Sequence, residues 1–243
     1  RLEIHDEAGQ SVQVLGMNRL RPGINRVHWD LRETSSTTPR LRTVPLEHAH
    51  VELSDQGWRS LGEGGRVTPL ATPGTYTVTL RAAGFELVQP LELLKDPNSG
   101  GSDLEIQEQV TMVREIRESV DSVVSLIDRI ERIRAQTQLV LERNGDHAAA
   151  EEIRQAGATL EALLIDLETR LFDVRLTGGT ARQDTLRSAR RLYARLTSLA
   201  GYITGTDDRP TDQSREVFEM LRSELGDYQR QMAALGEDLA TFN

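Results

Sequence analysis

Two histidines one residue apart, His48-Ala49-His50, make the only spacing in this chain that resembles part of a metal site. On a strand, positions i and i+2 share a face, so both imidazoles would project together. A third ligand would have to come from Glu47, Glu52, His5 or His28, and no spacing dictates one. His48 and His50 therefore read as solvent-facing side chains of a strand over His48–Leu53, and no metal is expected. Asp30, Glu33 and Asp55 are carboxylates of the kind that cleaves glycosides, a reaction needing two of them ~5–10 Å apart across a cleft. Acidic residues are abundant here, and no pattern sets two of them in one pocket. A Gly-x-Ser-x-Gly elbow is absent, and neither Gly62-Glu63-Gly64-Gly65 nor Gly178-Gly179 leads into a phosphate-binding Lys-Ser/Thr, so both read as turns. No catalytic residue and no cofactor is expected, which makes the chain a non-enzyme. Trp58 differs, because its neighbours in Asp55-Gln56-Gly57-Trp58-Arg59 are turn residues. An indole held on a turn is a candidate ligand platform, weighed against simple packing over a sheet edge.

The elements that must position these residues fall into two regimes. Up to about residue 96 the pattern is short alternating runs broken by Gly and Pro: Arg1–His5, Ser11–Leu15, Asn25–Leu31, His48–Leu53, Thr75–Leu80 and Glu86–Leu93. That spacing predicts an antiparallel β-sandwich with Trp29 and Tyr76 in its core, reversals at Asp6–Gln10 and at Ala82-Ala83-Gly84, and an exposed loop over Glu33–Pro45. After the linker 97–102 the apolar period changes from 2 to 3.6. Ser102 and Glu105 form a capping box for a first helix carrying Ile106, Val110, Val113, Ile116, Val120, Val123, Ile127 and Ile130. At roughly 40 residues it would reach about 60 Å and outrun its partners. Its charged stripe, Arg114, Glu115, Arg117, Glu118 and Asp121, reads as a solvated face. Asp146 is expected to cap a second helix running to Val174, Thr180 with Gln183 a third running to Ile203, and Thr211 or Asp212 a fourth. The sequence thus predicts an α+β chain in two domains. Residues 1–96 form an Ig-like or fibronectin-type sandwich, and residues 103–243 form an antiparallel up-down four-helix bundle.

Charge narrows the partners. Residues 1–96 carry 11 basic and 12 acidic side chains, while residues 97–243 carry 18 and 26, so most of the net charge of −9 lies in the helical part. An acidic surface disfavours nucleic acid and anionic membranes as partners. No apolar run is long enough to insert in a bilayer. With no cysteine, disulfides and thiolate chemistry are excluded.

Three motifs carry a resemblance. Leu2–Val12, Arg21–Arg32 and Pro73–Val78 are similar to the Ig-like or fibronectin-type module found at the C-terminus of flagellar hook-capping proteins and in secreted bacterial proteins. With Gln89-Pro90-Leu91-Glu92-Leu93, Asp96-Pro97 and the helical segment added, the whole chain resembles the C-terminal region of bacterial sortilin-type or BNR-type β-propeller proteins, often labelled glycosyl-hydrolase-like. That resemblance implies an upstream propeller as partner, an extracytoplasmic location, and a non-catalytic interaction module that contacts a protein partner or a second copy through its acidic helices. The alternatives are an accessory substrate-binding region using Trp58 or the Glu33–Pro45 loop, or a subunit of a large extracytoplasmic assembly. It further implies that Leu2–His5 pairs in a sheet from its first residues, beside an edge left open for another strand.

Overall fold

The computed structural model describes residues 1–17, 20–177 and 189–242, with side chains to residue 236. The protein is α+β. Among the described residues six strands come first, β1 Leu2–His5, β2 Ser11–Leu15, β3 Arg40–Leu41, β4 Arg59–Ser60, β5 Gly74–Ala82 and β6 Phe85–Leu93. Helices α1 Asp103–Arg143, α2 Ala150–Leu171, α3 Leu192–Ile203 and α4 Asp212–Phe242 follow. The change of apolar period marks the passage from β6 to α1. Two compact units can be drawn, each from three stretches of chain.

The first unit comprises Arg1–Ser36, Val67–Arg117 and Ala200–Ser214. Its antiparallel sheet has the order β2-β1-β5-β6, with β1 paired on both sides from Leu2 onward. The β1–β2 reversal is closed by Asp6, which accepts from the backbone of Gly9 and Gln10, and Gly9 supplies φ +78°. The β5–β6 reversal has positive φ at both central residues, Ala83 at 49° and Gly84 at 82°, the geometry that matches strand twist. From the pair Ala82↔Phe85, residues 85, 87, 89, 91 and 93 direct their backbone bonds to β5 and residues 86, 88, 90 and 92 direct theirs outward. Pro90 thus lacks a donor where no neighbour asks for one, as an edge strand allows. Glu86 and Glu92 flank it, and together these three residues blunt the open edge.

The apolar face of this sheet carries Ile4, Val12 and Tyr76, packed with Ala71, Leu15, Trp29, Val78, Leu91 and Leu93. Trp29 meets Tyr76 edge to face at 5.6 Å, and each polar tip is satisfied locally, the indole N–H by Arg32 O and the phenol by Thr72 O. No second sheet covers that face among the described residues. Asn25–Leu31, expected as a strand, is irregular, and the chain beyond it exchanges scattered backbone bonds with β2 and with residues 67–71. The loop residues Trp29 and Ala71 pack on the face to which the sequence assigns a second sheet.

At the start of α1 the capping box forms as expected. Ser102 N–H donates to Glu105 Oε2 at 2.9 Å and Glu105 N–H to Ser102 Oγ at 3.3 Å. Within this unit Gln109 of α1 donates its Nε2 to Ile203 O at 3.0 Å, and Ser99 Oγ donates to Asp207 Oδ2 at 2.5 Å. Gly101 packs so closely on Asp207 that a Cβ there would lie 2.1 Å from its carbonyl oxygen.

Thr37–Arg66, Glu118–Leu199 and Arg215–Asn243 make the second unit. Its core is the apolar stripe of α1 from Val120 to Ile130 with Leu164, Leu167 and Leu171 of α2, Leu192 and Leu196 of α3, and Leu221, Leu225 and Met232 of α4. Asp146 does not cap α2. Turns through residues 144–149 use His147 Nδ1 and O as acceptors for Ala149 and Ala150, so α2 begins at Ala150 without a side-chain cap. It stops at Leu171, because Phe172 is extended, and Val174 lies beyond it. Thr211 Oγ1 accepts Ser214 N–H at the start of α4, as expected. The cap expected from Thr180 and Gln183 lies outside the described residues.

Candidate functional site

The second unit holds a chain of charged groups that ends at Trp58. On α1, Asp121, Asp128 and Glu131 recur at helical spacing, and each accepts from the extended segment that starts at Thr37. Asp121 Oδ1 takes the N–H and the hydroxyl of Thr37, both at 2.7 Å, and Asp128 takes Arg40 N–H at 3.0 Å. Glu131, fully buried, takes the N–H groups of Arg42 and Thr43 and the Thr43 hydroxyl. Three donors satisfy a carboxylate that would otherwise be costly to bury.

One turn further along α1, Arg134 reaches Glu168 of α2 at 2.5 Å and Glu131 at 3.4 Å. Glu168 is also fully buried, and burial followed by the charge of Glu131 pushes its pKa up to about 8, against the pull of Arg134. At neutral pH Glu168 is therefore mainly protonated. Arg59 completes the cluster. Its Nε donates to Thr43 O at 2.9 Å and its Nη1 to Leu176 O at 2.8 Å. Burial lowers its pKa, while Glu131 and Glu168 oppose the shift.

Arg59 sits beside Trp58, so the network anchors the loop that carries the indole. β3 and β4 pair there, Arg40 with Ser60 and Leu41 with Arg59. Before Trp58 the loop is closed by Ser54, whose Oγ donates to Trp58 O at 2.6 Å, and by Gly57 at φ +75°, whose N–H bonds Ser54 O. Arg40 lies over the indole with its guanidinium carbon 5.5 Å from the ring centroid. Beside the ring opens a cleft of about 600 Å³, whose polar lining includes Glu52, Asp55, Gln56 and Ser60. An aromatic plane bordered by carboxylate, amide and hydroxyl groups is suited to hold a polar ligand by stacking and hydrogen bonding.

The other sequence candidates separate from this site. His48 and His50 occupy turns, not a strand, because Pro45 O and His48 O accept turn bonds from His48 and Val51. Their rings meet edge to face at 5.8 Å, and among the described residues no group of three His, Cys, Asp or Glu could hold a metal. In the first unit, Asp30 accepts Arg32 N–H at 3.1 Å. Glu33 is buried and gripped by Arg114, and by Arg117 at 3.3 Å. Both are structural in this setting. The charged stripe of α1 is accordingly not a merely solvated face, and the Glu33–Pro45 stretch is not an exposed loop, since Glu33, Ser36, Leu41 and Thr43 are buried. Sequence reasoning missed Glu131, Arg134, Glu168 and Arg59. The available signal was Glu131 and Arg134 among the apolar residues of α1.

No protein-family model matches this sequence, and no curated protein or solved structure matches it significantly.

Proposed function

We propose that this chain is a non-catalytic interaction and architecture module of a secreted or envelope-associated β-propeller protein, with the Trp58 cleft as its ligand contact. In this reading the four-stranded sheet is the pared-down core of an Ig-like sandwich and the helices are its bundle. One observation carries it. The buried ionisable groups of the second unit are committed to holding the segment 40–43 on α1 and Arg59 against Thr43 and Leu176, whereas Trp58 is delivered by that anchor to an open cleft. The cleft favours a neutral, polyhydroxylated ligand, because sugar hydroxyls can donate to Glu52 and Asp55 while a ring face stacks on the indole.

A glycan array probed with the intact chain, followed by titration calorimetry of the hits, tests this. Trp58→Ala should weaken binding at least about tenfold, the cost of removing a stacked aromatic anchor. Unchanged affinity in that variant, or no glycan bound at millimolar concentration, would overturn the reading.

A further inference from the structure

We propose a second binding site in the same unit: the cleft between the Gly62–Arg66 loop and the first turns of α3, which takes a compact oxyanion, a phosphate or sulfate group. The cleft measures about 410 Å³ and is lined by Arg66, Arg190, Ser198 and the glycines of the loop. Among the described residues Arg66 and Arg190 have no carboxylate within ion-pairing distance, although most arginines around them do. Arg190 Nη1 donates to Ser198 Oγ at 2.9 Å, which leaves the Ser198 hydroxyl proton free to donate into the cleft. Two planar guanidinium forks and a hydroxyl supply the donors that a tetrahedral oxyanion accepts.

The loop that forms the far wall is built for close approach. Gly64 has φ +74°, and a Cβ there would lie 2.3 Å from Tyr193 Cε1, so only glycine lets the backbone rest on the ring. Tyr193 then donates its hydroxyl to Gly65 O at 2.9 Å and fixes the loop against α3. A further cation stands near Glu63, which lines the cleft. Arg191 has a buried Nε without a hydrogen-bond partner, and its charge acts on Glu63 together with that of Arg190. No acidic residue stands in the first turn of α3, whose positive end is therefore uncompensated from within the helix.

Glu63 opposes an anion here, and its surroundings limit that opposition. Its Oε1 accepts Asp173 N–H at 3.0 Å, and burial raises its pKa against the lowering effect of Arg191 and Arg190. Asp173 is itself paired with Arg175 at 2.9 Å. The balance of charge facing the cleft is cationic in a chain of net charge −9, where a cationic cleft is a local exception.

Inorganic phosphate and inorganic sulfate are the probes, titrated calorimetrically into the full chain, with chloride at equal ionic strength as reference. Both oxyanions should bind and chloride should not. Arg66→Ala and Arg190→Ala should each weaken binding at least about tenfold, and Glu63→Gln should strengthen it several-fold, with circular dichroism showing all three folded. Trp58→Ala should leave it unchanged, so this result and that of the glycan test are independent. Phosphate and sulfate behaving like chloride, or binding that persists in both arginine variants, would overturn the proposal.

Discussion

Glu131 accepts both the backbone N–H of Thr43, at 2.7 Å, and its hydroxyl, at 2.8 Å, across 88 residues of sequence. That pairing satisfies a fully buried carboxylate and fastens an extended segment to α1, so its two partners should fail unequally. Glu131→Ala removes one of the carboxyl partners of Arg134 and strands the Arg42 and Thr43 backbone donors in the interior, and should cost about 3–5 kcal/mol. Thr43→Val removes one hydroxyl donor and leaves the amide, and should cost about 1–2 kcal/mol. Urea denaturation of both variants checks the order. A Glu131→Ala protein as stable as the parent would show that the carboxylate does not hold the segment.

Glu168 gives stability a pH dependence of definite sign. Its folded-state pKa, pushed up to about 8, lies above that of an unfolded glutamate, so the folded protein holds a proton that the unfolded chain releases. This contribution is fully present below the unfolded value, near 4.5, and is lost as pH rises through about 8. The slope from this group cannot exceed about 1.4 kcal/mol per pH unit. Urea midpoints at pH 5.5 and 8.5 should fall in the parent, and Glu168→Gln should flatten the difference. A parent whose midpoint is constant over that interval would contradict the assignment of the proton to Glu168.

Much of the secondary structure was legible because local chemistry and local structure agree. Ser102 and Glu105 sit at capping spacing and cap; Leu2–His5 and Thr75–Leu80 alternate and pair. The turn around Trp58 was legible from its neighbours, and a cleft opens beside the indole. The stretch from Glu33 to Pro45 misled. Its Ser, Thr and Arg composition resembles a solvated loop, yet its polar groups are answered by acidic and basic side chains of α1 more than 80 residues away, among them Asp121 and Arg114. Periodicity within a window carries no information about such partners. Asn25–Leu31 failed for a related reason, since Trp29 is held by Tyr76 and Arg32 O in place of a facing sheet.

Ala83 pays for its place in the β5–β6 reversal with φ +49°, a conformation that L-residues other than Asn and Asp seldom adopt. Ala83→Asn should therefore stabilise the hairpin by about 0.5–1 kcal/mol, since Asn-Gly is the preferred pair for this turn. Thermal denaturation should show a rise in Tm. A fall would mean that Ala83 makes a contact worth more than its backbone strain.

Fragments test whether the chain divides where its hydrophobic period changes. Residues 1–97 contain all four strands of the larger sheet and therefore look sufficient. Their compact unit, however, also draws on residues 98–117 and 200–214. In a fragment ending at residue 97, the buried Glu33 loses both Arg114 and Arg117, and a buried carboxylate stripped of its partners costs about 3–5 kcal/mol, a large share of what a domain of this size can spare. The 1–97 fragment should accordingly melt without a cooperative transition, while the full chain melts cooperatively. In the full chain, Glu33→Gln should recover part of the loss seen in Arg114→Ala when the two are combined, because the neutral amide no longer needs a cation. A sharp melt of 1–97 with native β circular dichroism would show that the sheet and its loops suffice on their own and that the Glu33 pairing is dispensable to the fold.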